Sequence, residues 1–214
     1  MPTHVALLRG INVGGHNRVA MADLRAVVAA LGHGEVATYI QSGNVVSGAA
    51  DPDADSATLA ATLERAIAAE LGVRPRVVVL SRAELAAVVA ANPFPTETNP
   101  KCLHALFRGS PLHPEDVAAI ASAHARARQR GGRDEARVEG STLFLRTPDG
   151  LGRSELAAEL TKPKFDTTAR NWFGAPIVGW GVPDCGSAVH GDRAGGVRRL
   201  GQASLVGCGG LAVE

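Results

Sequence analysis

The stretch Leu7-Leu8-Arg9-Gly10-Ile11-Asn12-Val13-Gly14-Gly15-His16-Asn17-Arg18 decides how the chain is read. An apolar strand, His4 to Leu8, runs straight into a glycine-rich polar turn and then into a helix. Gly10, Gly14 and Gly15 allow positive φ and let several backbone N–H groups point one way. Arg9, Asn12, Asn17 and Arg18 add side-chain donors suited to phosphate or carboxylate. The glycine spacing matches neither the P-loop nor the dinucleotide fingerprint, so the segment predicts an anion cradle without naming a reaction.

Reading outward, the helix after the turn carries Met21, Leu24, Val27, Val28 and Leu31 on one face, and Gly32 and Gly34 end it. Val36 to Ile40 and Val45 to Ser47 read as strands joined by a hairpin turn at Gln41-Ser42-Gly43-Asn44. Ser56 is the expected N-cap of a second helix with Leu59, Leu63, Ile67 and Leu71 inward, and Arg76 to Leu80 is a β-branched strand. The order is βαββαβ, a split βαβ unit. A short helix with Leu85, Val88 and Val89 then meets a proline-rich stretch beginning Asn92-Pro93-Phe94-Pro95.

Beyond it the pattern restarts. His104-Ala105-Leu106-Phe107-Arg108-Gly109 echoes His4 to Gly10, and a helix from Pro114 is expected to turn Val117, Ile120, Ala121 and His124 inward. Ala136 to Glu139 and Thr142 to Arg146 form a hairpin about Gly140-Ser141, and a helix from Ser154 carries Leu156 and Leu160. The second half reads as βαββα. The expected fold is therefore α+β, two related βαββα(β) subdomains of ferredoxin-like type produced by internal duplication, with a cleft between them. The expected boundaries are 1–91 for the first subdomain, 92–101 for the linker and 102–172 for the second subdomain. Residues 173–214 form an atypical tail holding eleven of the 25 glycines and no helical stripe, which predicts irregular structure with few core contacts. Either a shifted reading frame after codon 172 or a genuine extension would produce such a tail.

A chain of 214 residues with 45% hydrophobic content can bury a substantial core. Twenty-two basic side chains against twenty-one acidic ones leave no whole-molecule field for nucleic acid or anionic membrane, so any basic site is local. The sequence has neither an apolar run long enough to span a bilayer nor a basic leader, which makes the cytoplasm the expected location and a membrane an unexpected partner. Cys102, Cys185 and Cys208 are scattered without metal-ligand spacing, so no metal or cofactor is expected.

Three segments, LLRGINVGGHNRVAMADLR (7–25), TYIQSGNVV (38–46) and TTARNW (167–172), together resemble the uncharacterised bacterial family called domain of unknown function 1697 (DUF1697). Asn92-Pro93-Phe94 and the stretch from Pro148-Asp149-Gly150 to Ser154 are similar in kind, so the resemblance runs from residue 3 to about 172. It implies a cytoplasmic α+β protein of two related subdomains. It implies no activity and carries no catalytic residue.

The candidate ligand-binding residues fall in those three segments. Arg9, Asn12, Gly14, Gly15 and Asn17 form the anion cradle, and Tyr39, Gln41, Ser42 and Asn44 bracket the neighbouring hairpin turn. Arg170, Asn171 and Trp172, beside Thr167 and Thr168, combine a guanidinium, an amide and an indole able to bind an anion and stack a ring; the same residues would equally cap a helix and pack Trp172 inside. Glycines and asparagines also shape ordinary loops, and Lys162 and Lys164 read as solvated. Arg126, Arg128, Arg130, Arg133 and Arg137 concentrate positive charge but lack interleaved aromatics. The leading reading is a binder of a small anionic or nucleotide-like ligand. A nucleic-acid-binding module and a protein-interaction or structural role are the alternatives. No nucleophile elbow or activated cysteine neighbourhood points to hydrolysis.

Overall fold

A computed structural model describes residues 2–39, 43–51, 53–99 and 101–172. The first half comprises β1 (His4–Arg9), α1 (Met21–Ala30), β2 (Gly34–Tyr39), β3 (Asn44–Gly48), α2 (Ser56–Leu71), β4 (Arg76–Ser81) and α3 (Arg82–Ala90). The second comprises β5 (Leu103–Phe107), α4 (Pro114–Gln129), β6 (Glu135–Glu139), β7 (Thr142–Arg146), α5 (Glu155–Leu160) and β8 (Thr168–Asn171). Each half builds a four-stranded antiparallel sheet, ordered β2-β3-β1-β4 and β6-β7-β5-β8. The two orders are topologically the same, so the fold is two similar α+β units of split βαβ type.

Strand β8 completes the second unit, which the sequence pattern leaves as βαββα. It lies in the TTARNW segment, where four largely polar residues offer no hydrophobic alternation, and its ladder with β5 (His104 with Asn171, Phe107 with Thr168) holds it in place. Helix α2 also differs in detail. Its N-cap is Asp55, whose carboxylate accepts from Thr58 N–H at 2.8 Å, and it ends at Gly72 in the left-handed region. On α4 the buried stripe is Ile120, Ala123 and Ala127, while Val117 and Ala121 face solvent. The apolar face expected there was therefore rotated: α4 is mostly small and charged residues, and packing chose a line of alanines over the isolated valine.

The central strands are apolar on both faces because both are covered. Ala6 and Leu8 of β1 pack with Leu24, Val28, Leu63 and Ile67 of the helices, whereas Val5 and Leu7 point the other way. That second face meets Leu103, Ala105 and Phe107 of β5, Phe144 of β7 and Trp172, so one apolar layer is shared by the two sheets. Leu106, Leu143 and Leu145 turn back onto α4 and α5. Trp172 sits edge-on to Phe144 at 5.4 Å between centroids, and its backbone N–H donates to Leu103 O at 2.9 Å.

Candidate functional site

The glycine-rich segment is held by its own asparagines. Asn12, in the left-handed region at φ 54°, donates from Nδ2 to Val19 O at 2.9 Å and accepts from Val19 N–H at 2.8 Å. Asn17, at φ 50°, donates from Nδ2 to Gly10 O at 2.8 Å, and Asn12 N–H donates to Asn17 O at 3.0 Å. These bonds staple residues 10–19 into a closed loop with Val13 and His16 bridged at its tip. Asn is among the few non-glycine residues that tolerate the left-handed region, and here it supplies a side-chain staple at the same position.

The loop opens beside the start of α1 into a cleft of about 540 Å³, lined among the described residues by Asn12, Gly15, Arg18, Val19, Ala20 and Asp23. The N-cap of helix α1 is Ala20, whose methyl cannot accept a hydrogen bond, so the helix starts beside the cleft without a side-chain cap. Arg9 takes no part in this cleft. It stands opposite Arg76 across the β1–β4 ladder; its guanidinium donates to Thr161 O at 3.1 Å and lies 3.8 Å from Asp166. Arg76 holds the same carboxylate at 2.9 Å, and the two arginines, Arg76 foremost, keep the pKa of Asp166 below the ordinary carboxylate value. The expected cradle of Arg9 with the loop amides is therefore not formed, because a carboxylate from the second unit already engages that guanidinium.

Arg170 joins the three quoted segments at one point. Its Nε donates to Asn44 Oδ1 at 2.6 Å, its Nη2 to Leu8 O at 2.7 Å and its Nη1 to Ala169 O at 3.0 Å. Asn44 is wholly buried and donates onward to Tyr39 O at 3.3 Å. Burial pulls the Arg170 pKa down to about 10. Gly43, at φ 80°, lets the hairpin lie directly on β1: a Cβ there would stand 2.9 Å from both Leu8 Cβ and Ile11 Cδ1, and Leu8 N–H donates to Gly43 O at 2.7 Å.

The candidates thus separate by position. Gly15 and Asn12 line the cleft, while Gly14 and Asn17 shape the same loop. Tyr39 is exposed at 52%, at the end of β2 on the adjoining hairpin. Gln41 and Ser42 lie outside the described residues. Asn44 and Arg170 form an internal joint, and Asn171 is a strand residue of β8. Trp172 is 5% exposed; its ring packs in the shared core, so it offers no stacking face to a ligand. Three arginines of the basic region pair with acids: Arg130 with Glu155, Arg133 with Asp149 and Arg137 with Glu135. Lys162 and Lys164 both hold Glu159, whose pKa falls to about 2. Among the described residues no group of His, Cys, Asp or Glu is arranged to hold a metal, and no helix is long and apolar enough to cross a membrane. Sequence reading did not single out Asp166 or Arg108, although Arg108-Gly109 occupies the place in the second unit that Arg9-Gly10 occupies in the first.

Together these features define an α+β protein of two ferredoxin-like units whose characteristic segments meet at a single joint. The chain belongs to the family described as "Protein of unknown function (DUF1697)", whose model matches residues 1–144. The solved structure of a conserved bacterial protein from Streptococcus pneumoniae is similar to it, with 25% sequence identity, a TM-score of 0.60 and coverage of 79% of this chain and 92% of that one. Among curated proteins nothing matches.

Proposed function

We propose that the protein binds a small phosphate-bearing, nucleotide-like molecule at the glycine-rich loop. The carrying observation is the uncapped start of α1 opening, with Gly15 and Arg18, into the 540 Å³ cleft. First-turn amides without a side-chain cap and the positive end of the helix dipole favour an anion there, and the exposed Arg18 adds a charge-assisted donor. Asp23 tempers that field, which favours a ligand with groups to donate as well as to accept. Tyr39, exposed on the neighbouring hairpin, supplies an aromatic face suited to a base. The common strand order also supports descent of the two units from one ancestral βαββαβ unit.

The test is thermal denaturation of the full chain with inorganic phosphate, AMP, ATP and an uncharged nucleoside. A ligand at a hundredfold excess over Kd stabilises by about 2.7 kcal/mol, which raises Tm by roughly 5–10 °C in a chain of this size. Arg18→Ala should remove that rise and leave the ligand-free Tm unchanged. A screen with no phosphate-dependent rise, or one equal in Arg18→Ala, refutes the reading.

A further inference from the structure

Strand β4 is an edge strand, and its outer edge is closed at two points by the protein's own carboxylates. The β1–β4 register fixes which backbone groups point outward. Leu8 N–H donates to Gly43 O on the β3 side, and Arg82 N–H donates to Thr3 O on the β4 side. Val78 and Leu80 therefore bond β1, while Val77, Val79 and Ser81 turn their N–H and C=O groups away from it. Val77 N–H donates to Glu64 Oε1 at 2.8 Å and Ser81 N–H to Glu84 Oε2 at 2.7 Å. Val79 N–H, midway between them, has no hydrogen-bond partner among the described residues. Capping both ends of an edge hinders pairing along its whole length and leaves one residue able to pair.

Val79 lines a cavity of about 330 Å³, with the start of α2 on one side and the loop Gly109-Ser110-Pro111 on the other. That volume is at the small end of ligand pockets and suits a few residues rather than a full strand. Backbone amides at buried positions are seldom left unbonded, so a partner that accepts from Val79 N–H is held by satisfying it. The cavity is acidic. Asp55 and Glu84 line it, and Arg108 in the same lining is already paired with Asp116 at 3.0 Å. The bond from Thr58 N–H holds the pKa of Asp55 below the ordinary carboxylate value, so that carboxylate is charged at pH 7.

Residues directly opposite each other in an antiparallel pair project from the same face. Val79 packs with Leu59, Ala60 and Leu63 of α2, so a residue paired with it also projects toward α2, whose N-cap is Asp55. We infer that the β4 edge at Val79 docks a short extended peptide segment of a partner chain, with a lysine or arginine opposite Val79 and directed at Asp55. The C=O of that residue accepts from Val79 N–H and its N–H donates to Val79 O; the flanking residues lie against Leu80 and Pro111. This surface is separate from the glycine-rich loop and does not depend on the function proposed for it.

The probe is acetyl-Val-Lys-Val-amide, titrated into the isotopically labelled full chain at pH 7 and followed by amide shifts and hydrogen exchange. Two further peptides run in parallel, one with glutamate for the lysine and one with that lysine N-methylated on its backbone. In the free chain the Val79 amide should exchange about tenfold or more faster than those of Val78 and Leu80, and the lysine peptide should slow it about tenfold. Saturable shifts at Val79 and Leu80 are expected with the lysine peptide, weaker by about tenfold or more with the other two. Asp55→Asn keeps a side-chain oxygen for the α2 N-cap and should weaken the lysine peptide by about threefold or more. A Val79 amide as slow as its neighbours in the free chain, non-saturating shifts, equal binding of either control peptide, or binding unchanged in Asp55→Asn would each overturn the assignment. Protection of Val79 that rises with protein concentration alone would give the edge to a second copy and overturn it too. Loss of the nucleotide-dependent Tm rise leaves this result untouched, so the two sites fail separately.

Discussion

Replacing Arg170 with Met should destabilise the protein more than any exposed arginine would. The guanidinium donates to Asn44 Oδ1 at 2.6 Å and to Leu8 O at 2.7 Å, both in the first unit, while Arg170 itself belongs to the second. Removing it leaves buried neutral acceptors, Asn44 Oδ1 and Leu8 O, without their donor, at about 1–3 kcal/mol each. Methionine fills much of the volume, and burial already opposes the charge, as the fall in pKa to about 10 records; the net expected loss is therefore about 2–4 kcal/mol. Urea unfolding of the full chain measures it, and pairing Arg170→Met with Asn44→Ala in a double-mutant cycle isolates the contact. A coupling of roughly 1.5–3 kcal/mol is expected for a charge-assisted bond. Coupling below about 0.5 kcal/mol would show that the Arg170–Asn44 contact holds no energy.

Gly43→Ala combines a left-handed φ of 80° with a Cβ only 2.9 Å from Leu8 Cβ, and should cost about 2–4 kcal/mol in urea; Gly10→Ala, at φ 79° with open space around it, should cost about 1 kcal/mol. Trp172→Ala empties part of the inter-sheet core, and a loss of about 3–5 kcal/mol is expected in the same assay. His104 is buried with Nδ1 unbonded among the described residues, and burial holds its pKa below 6.5. Its neutral form is thus the folded form: full stability is present above pH 6.5 and declines as pH falls and the unfolded chain takes up the proton. His104→Leu should gain about 1 kcal/mol at pH 7 and flatten the decline in urea midpoint between pH 7 and 5, leaving the part due to His4, whose pKa is lowered the same way; an unchanged slope would refute it.

Hydrophobic periodicity was enough to find α1 and α2 and the central strands, because Leu24, Val28, Leu63 and Ile67 recur at helical spacing and β1 is apolar throughout. It failed where packing rather than pattern decides. Thr168 to Asn171 has too few apolar residues to read as a strand, yet pairing with β5 makes it one. Val117 is apolar yet faces solvent, while Ile120, Ala123 and Ala127 form the buried stripe of α4. The loop was recognisable from its glycines, but the roles within it were not. Asn12 and Asn17 carry ligand-like side chains and use them on Val19 and Gly10, bonds a sequence does not display. Arg9 reads as a loop donor until Asp166, far along the chain, takes it into an ion pair. Arg170 and Asn44 are 126 positions apart, and no local signal connects them.

That separation also governs when the molecule can finish folding. The first unit has its strands and helices by residue 90, yet the guanidinium that bonds its buried Asn44 is made 126 residues after that asparagine. At about 5–20 residues per second, synthesis reaches Arg170 some 6–25 s after Asn44. Until β5 and β7 have been made, the Val5 and Leu7 face of β1 has no opposing sheet, and the nascent chain presents an apolar strand surface of the kind chaperones cover. Strand β8, the last strand among the described residues, thus carries the guanidinium that joins the first unit, so that contact forms only after both sheets have been synthesised.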